Sequence, residues 1–444
     1  MLTQSETRWN RSPRKTMRDL PIVNALASAL IAGEQMREHV VARCSRVLGR
    51  PWRWLGPLAK RFLVAHAGQT RLRRREVVRF LLQDEGLREA LARHGTKIAV
   101  QLWVPEAAAM QPVEAAIAWN LPAIESAGAL AGWLRITPGE LEWFADLKGL
   151  GARRGTHDEL QHYRYSAVEK RGGGIRLLES PKPRLKAIQR QILALILNRI
   201  EPHAAAHGFR RGHSIKSFAG AHTGQRVVLR MDLRDFFPST SGARVQAFFR
   251  TSGYPESVAD LLGGLCTNAT PRAVARDLYS QRHLPQGAPT SPALANLCSY
   301  RLDCRLNGLA KSVGAAYTRY ADDLAFSGGM EFDQCVERFS SHVAAIAMDE
   351  GFAVNFRKTR MMRQGVRQHL AGLVTNERTN VRRVEFDRLK AILHNCVRMG
   401  PESQNREGHP EFRAHLEGRV SFVEMINPEK AQRLRATLQQ IEWP

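Results

Sequence analysis

At 444 residues the chain is long enough for two or three domains. Its 66 Lys and Arg against 42 Asp and Glu leave a formal charge of +24, a surplus that favours nucleic acid as partner over a merely basic soluble role. No stretch reaches the ~18 consecutive apolar residues of a membrane span, and Met1–Arg18 is polar and basic, unlike a secretory signal; the expectation is a cytoplasmic protein with no membrane partner.

From Ile22 to about Ala92 the apolar spacing is helical. Val78, Leu81 and Leu82 fall at i, i+3 and i+4 on a segment carrying Arg71, Arg73, Arg74, Arg75 and Arg79. Seven of the eight tryptophans precede residue 144, and this shift predicts a separate, mainly helical N-terminal extension over residues 1–136. The Arg cluster with Trp52 and Trp54 suits RNA, through phosphate contacts and stacking. It suits equally a solvated helix face over core tryptophans. Thr137-Pro138-Gly139-Glu140 then has capping-box spacing with Pro at the first helical position, and the domain boundary is drawn just before it.

Lys170-Arg171-Gly172-Gly173-Gly174-Ile175-Arg176 reads as a tight hairpin with Lys170 and Arg176 on its two arms. Such a pair suits a triphosphate or is an exposed basic turn. A helix follows over Ile188 to Ile200. Val227–Asp232 is a β-rich apolar run ending in acid, followed by Leu233-Arg234-Asp235-Phe236-Phe237-Pro238-Ser239. Asn268 to Arg282 is weakly patterned and expected to be loop. Leu284-Pro285-Gln286-Gly287 begins a turn into a helix from Pro292 to about Leu309, Gly287 permitting close backbone approach. Ala316–Gly328 reads as a hairpin with Tyr320-Ala321-Asp322-Asp323 at its tip. Successive strand side chains face opposite ways, so one Asp of the pair is expected in a cleft and the other beside it. A helix over about Asp333 to Glu350 precedes Gly351–Thr359, read as a strand ending in Lys358. Two amphipathic helices close the chain, and Arg382, Arg383, Arg388 and Lys390 lie off the apolar stripe of the first, suited to gripping an RNA-containing duplex.

Asp232 from one strand with Asp322 and Asp323 from a neighbouring hairpin can hold two divalent ions. Mg²⁺ prefers oxygen ligands and keeps positions for water and phosphates. Two such ions about 3.5–4 Å apart activate an attacking hydroxyl and stabilise a leaving oxygen. That is the chemistry of nucleotidyl transfer.

Met231-Asp232-Leu233-Arg234-Asp235-Phe236-Phe237, Leu284-Pro285-Gln286-Gly287 and Tyr320-Ala321-Asp322-Asp323, in this order, resemble bacterial reverse transcriptases, and among them the retron type, over roughly residues 140–444. The resemblance implies an α+β right-hand polymerase: fingers over 137–225, a palm of antiparallel sheet plus helices over 226–375, and a helical thumb over 376–444, behind the N-terminal extension. It implies that Lys170 and Arg176 contact the triphosphate of a deoxynucleotide, that Phe237 excludes a ribose 2′-hydroxyl, and that Gln286 and Gly287 meet the incoming nucleotide. Lys358 is then a general acid, a charge stabiliser or a phosphate contact. Ser291 and Asn296 are expected to support the template strand. His222, with Ala219, falls in an RNA-binding element of retron enzymes, where Phe218 replaces the expected Asn. Leu370-Ala371-Gly372 holds the primer-grip position with Leu-Ala-Gly in place of Val-Thr-Gly.

An RNA-directed DNA polymerase is therefore expected, with two Mg²⁺ (Mn²⁺ substituting). Its partners would be dNTPs, a structured non-coding RNA as template and primer, the RNA–DNA hybrid product and an effector protein in antiviral defence. Another bacterial reverse transcriptase, defence-associated or group II intron-like, is the alternative, although no maturase-like extension follows the expected thumb. A non-catalytic RNA-binding scaffold is the other; it would need none of the three Asp, Gln286 or Lys358.

Overall fold

The computed structural model describes residues 13–32, 35–67, 72–95, 97–102, 109–153, 161–169, 175–275 and 277–443. Lys170 lies outside them. The chain divides into two compact units, Met1–Leu147 with Gln246–Gly264, and Lys148–Val245 with Leu265–Pro444.

The first unit is helical. Helices Pro13–Ile31, Arg37–Val47, Leu55–Ala65, Arg74–Gln83 and Glu85–His94 bury Leu26, Leu30, Leu58, Phe62 and Leu81 in a common core. Trp52 and Trp54 pack half-buried against it, and the Arg50 guanidinium lies 3.6 Å over the Trp52 ring. The tryptophans thus serve packing, while Arg73, Arg74, Arg75 and Arg79 stay exposed. The helix Pro138–Ala145 starts as its spacing predicts: Glu140 N donates to Thr137 Oγ1 at 3.2 Å and Thr137 N to Glu140 Oε2 at 2.8 Å.

The second unit is built on antiparallel strands. β1 (Tyr163–Glu169) pairs with β2 (Ile175–Pro181). The main sheet runs in the order β4 (Ala316–Tyr320), β5 (Asp323–Gly328), β3 (Val227–Arg234), β6 (Ala353–Val354), with β7 (Arg360–Arg363) also on β3. Val227 to Met231 is buried except for Arg230, so this central strand reads as a near-continuous apolar run. A small hairpin joins β8 (His369–Leu370) to β9 (Leu373–Val374). Its two turn residues, Ala371 and Gly372, have φ of +46° and +85°, the pattern of a type I′ turn. The C-terminal helices Arg383–Met399, Phe412–Ile426 and Pro428–Gln439 bury Leu389, Leu393, Val420 and Leu434 in one cluster with Phe218, Val228 and Leu370.

Two expectations are corrected. The single helix expected over Pro292 to Leu309 is two, Ser291–Cys298 and Tyr300–Lys311, parted at Ser299. The strand expected to end at Lys358 stops at Val354; Phe356–Lys358 is a 3₁₀ turn, closed by Lys358 N donating to the Asn355 carbonyl at 3.0 Å. No helix among the described residues is long and apolar enough to cross a membrane.

Candidate active site

β3 delivers Asp232 near the C-terminal end of the central strand, and antiparallel register sets Asp323 directly opposite it. The β4–β5 hairpin turns through Ala321 and Asp322, with Ala321 at φ +55°. For a residue with a Cβ, that left-handed conformation costs roughly 1–2 kcal/mol. A buried network underwrites it. Arg319, fully buried, donates Nε and Nη2 to the Asp303 carboxylate at 2.7 and 2.6 Å, and Nη1 to Asn296 Oδ1 at 3.0 Å and to the Ala321 carbonyl at 3.2 Å. Tyr317 Oη adds a bond to Asp303 at 2.8 Å.

Asp322 and Asp232 line a cleft of about 1580 Å³, and Arg176, Phe237, Gln286, Gly287 and Lys358 line the same cleft. Asp323 does not line it: its carboxylate accepts both Nε and Nη2 of Arg230, at 2.9 and 2.7 Å. Arg230 is two residues before Asp232 and so shares its face, a signal present in the sequence. Asp232 accepts from Lys358 Nζ at 2.9 Å and from Asn355 Nδ2 at 3.2 Å. Burial, then the neighbouring Asp323 and Asp232 charges, push Asp322 up to about 6. Burial also raises Asp323, partly offset by Arg230. Like charge is therefore concentrated at the cleft edge, where a cation would relieve it.

The donor set is hard oxygen. Among the described residues no three His, Cys, Asp or Glu side chains converge on one metal position. Two carboxylates open to a cleft match the way Mg²⁺ is usually held, by one or two acids with water and substrate phosphates completing its shell.

Of the adjacent aromatics, Phe236 is core, 5.5 Å from Phe352, and Phe237 faces the cleft. Asp235 also lines the cleft, and its side chain does not cap the turn that follows. Gln286 brings a buried side-chain oxygen with no hydrogen-bond partner. Its carbonyl accepts from Glu179 N at 2.7 Å. Gly287 has φ +132°, and a Cβ there would sit 3.0 Å from the Glu179 carbonyl. The positive φ favours glycine, and the close carbonyl leaves a Cβ little room.

Beneath this loop Glu179 is fully buried. It accepts from Asn268 at 2.9 Å and Thr270 at 2.7 Å, and pairs with His283 Nε2 at 2.8 Å. Burial alone would raise its carboxyl, but these partners, His283 first, hold it below its ordinary 4.5. Its stabilising contribution is thus present above that value and is lost as pH falls through the folded one. Glu179→Gln is expected to cost about 1–3 kcal/mol at pH 7. The gap from wild type should narrow toward pH 4 in urea titrations; a gap constant across that range would contradict the assignment.

His222, Ser291 and Asn296, expected at nucleic acid, are all buried instead. Ser291 bonds the Pro285 carbonyl at 2.7 Å, and Asn296 the Gly208 carbonyl at 2.8 Å. His222 sits between Ser327 Oγ and Thr318 Oγ1, each at 2.7 Å. Thr318 spends its one proton on the Phe218 carbonyl at 3.2 Å, so the hydroxyl accepts from Nε2–H and Nδ1 accepts from Ser327. Burial, with His207 adding to it, drives this ring down to about 3, keeping it neutral. Its work is to staple β4 to β5 behind the two acids. Phe218 lies buried 5.8 Å from the Tyr320 ring.

Arg382 caps the helix Arg383–Met399 and Arg383, Arg388 and Lys390 lie on its N-terminal half; none lines the cleft. Arg382 and Arg383 approach Glu385 at 3.7 Å and Asp387 at 3.5 Å, while Arg388 and Lys390 are exposed. Phe209, Asn355, Arg230 and Arg319 belong to no motif that the sequence offers.

Residues 168–386 match the family of reverse transcriptases (RNA-dependent DNA polymerases). The retron Mx162 reverse transcriptase of Myxococcus xanthus is 38% identical over 349 residues, 74% of this chain and 70% of that one. The retron Mx65 reverse transcriptase of the same organism is 45% identical over 286 residues, 62% of this chain, which spans 64% of that protein's length. The retron Ec86 reverse transcriptase of Escherichia coli is 31% identical over 283 residues, 63% of this chain and 81% of its own.

Proposed function

Because the chain belongs to the retron reverse transcriptases, we propose that it is an RNA-directed DNA polymerase whose reaction centre is the cleft edge at Asp232 and Asp322. The observation that carries this reading is the pair of clustered acids sharing one cleft with Gln286, Phe237, Arg176 and Lys358. In the polymerase reading, β1–β2 belongs to the fingers, the main sheet is the palm and the C-terminal helices are the thumb, with boundaries near residues 137, 226 and 376.

Asp232 and Asp322 would hold divalent Mg²⁺, for which Mn²⁺ could substitute. Bound there, two ions would activate the primer hydroxyl and stabilise the leaving oxygen. The side chains divide the remaining work. Arg230 neutralises Asp323 and keeps it out of the cleft, so Asp323 supports the site from behind. Arg176, with Lys170, would receive the triphosphate. The unpartnered Gln286 oxygen would accept a hydrogen bond from the incoming nucleotide. The Phe237 ring would fill the space a 2′-hydroxyl needs. Lys358, 2.9 Å from Asp232, would stabilise pyrophosphate or protonate it. Arg382, Arg383, Arg388 and Lys390 would hold the duplex through phosphates.

The proposed substrates are dNTPs and a structured non-coding RNA serving as template and primer. The product would be single-stranded DNA, branched from the RNA if priming uses a 2′-hydroxyl, and its setting antiviral defence with an effector protein. The test is to express the full chain with its neighbouring DNA, digest the co-purifying nucleic acid with ribonuclease, and look for a discrete single-stranded DNA. A defined band that disappears with Asp322→Asn supports the reading. Primer extension without such a band would point to a reverse transcriptase of another kind.

A further inference from the structure

Phe209 is held where few bulky residues settle. Its φ is +57°, a left-handed conformation that is costly for an aromatic residue and that persists only where the surroundings impose it. Those surroundings are visible. Gly208 before it lies against the turn of the two acids so closely that a Cβ would stand 2.7 Å from Ala321 N. Its carbonyl is fixed by Asn296 Nδ2 at 2.8 Å, and Asn296 is itself bonded to Arg319 at 3.0 Å. The segment is pinned to the turn, yet the Phe209 side is not hidden in the core: the residue is 49% exposed and lines the cleft.

The ring has two aromatic neighbours, Phe237 at 6.0 Å and Tyr320 at 6.3 Å between centroids. Tyr320 in turn rests 5.8 Å from buried Phe218. Phe237 has a second ring neighbour in Phe236, at 5.7 Å. One of its ring neighbours is therefore in the core and the other stands in the cleft. A phenylalanine with a single ring neighbour can swing about its first side-chain torsion; a second neighbour restricts that freedom.

We propose that Phe209 is a specificity-determining positioning residue: it fixes the Phe237 ring as a rigid wall and so sharpens discrimination between deoxyribose and ribose. This rests on the reading of Phe237 as the sugar-excluding residue. A wall that can move aside admits the extra oxygen; a braced one does not. Strain at position 209 is then the cost of presenting a ring in the cleft from a segment tied to the catalytic turn.

The experiment is single-nucleotide incorporation by the full-length protein on an RNA template with an annealed DNA primer, measuring kcat/KM for a dNTP and the matching rNTP. The variants are Phe209→Gly, which removes the ring while suiting the left-handed backbone, Phe209→Tyr, Phe237→Ala, and the Phe209→Gly/Phe237→Ala double. Phe209→Gly is expected to raise the rNTP-to-dNTP ratio about 10-fold, the scale of small steric changes in a pocket. Phe209→Tyr should keep the wild-type ratio, and the double variant should match Phe237→Ala. General loss of folded protein would lower both substrates together and leave the ratio unchanged. Relaxation by Phe237→Ala with none from Phe209→Gly would overturn the role of Phe209 and leave the sugar wall standing. Fully additive effects would also overturn it, since Phe209 would then act apart from Phe237. No relaxation from Phe237→Ala would remove the sugar wall itself.

Discussion

Asp322→Asn should lower nucleotide incorporation by about 10³-fold or more, the scale of losing a preorganised charge-stabilising group at a reacting centre, and should at the same time make the metal-free protein harder to melt. The two effects share one cause. Asp322 sits in the cleft beside Asp232 and Asp323, and its carboxyl is raised from 3.8 to about 6 by burial and then by their repulsion. Its folded value exceeds its unfolded one, so stability is full below pH about 4 and is lost as pH rises through about 6. A shift of that size corresponds to about 3 kcal/mol. The carboxylate is partly open to solvent, so roughly 1–2 kcal/mol is the realistic gain on removing the charge. In calorimetry at pH 7.5 with chelator present, the variant should melt roughly 2–4 °C above wild type. Added Mg²⁺ should raise the wild-type midpoint and leave the variant's nearly unchanged. A variant that kept activity, or melted lower without metal, would show that the acids are not a strained, cation-seeking pair.

Arg319→Leu carries the largest expected loss of stability. The guanidinium and Asp303 are both fully buried, joined by bonds of 2.7 and 2.6 Å. Removing one partner strands the other charge in the core, which costs about 3–5 kcal/mol. Asp303, Asn296 and the Ala321 carbonyl would all lose donors, the last at the turn that presents Asp322. Replacing both partners, Arg319→Leu with Asp303→Leu, should recover most of the stability, because an apolar pair leaves no charge unpaired. It should not recover activity, because nothing then ties the Ala321 carbonyl. Urea midpoints and incorporation rates measured on the same preparations separate the two effects. A single-variant cost below about 1 kcal/mol would mean that solvent reaches the pair.

Much of this architecture is written in local pattern. The β3 run, the hairpin ending in Tyr320, and the capping box at Thr137 are short-range signals, and each appears where its spacing puts it. Asp232, Asp322, Gln286 and Lys358 could be grouped because their motifs follow in one order. Other assignments depend on which side of a wall a residue lies. His222 and Asn296 are polar residues whose type suits nucleic-acid contact, and only the packed structure reveals them buried as braces. The division of labour between Phe236 and Phe237 is of the same kind. The Glu179–His283 pair joins positions 104 residues apart, and no periodicity connects them. Phe209 is the extreme case, since its setting comes from a backbone angle that the sequence does not spell.

If this cleft builds DNA on RNA, Asp232 and Asp322 stand at the reacting atoms. The most direct measurement gives the purified protein a DNA primer annealed to RNA, Mg²⁺ and one radiolabelled dNTP, beside a preparation carrying Asp232→Asn and Asp322→Asn. Templated extension by the wild type, absent from the double variant and far weaker with the matching rNTP, is the predicted result. Extension surviving in the double variant would contradict the site, and RNA binding with no extension in Mg²⁺ or Mn²⁺ would make the chain a scaffold rather than a polymerase.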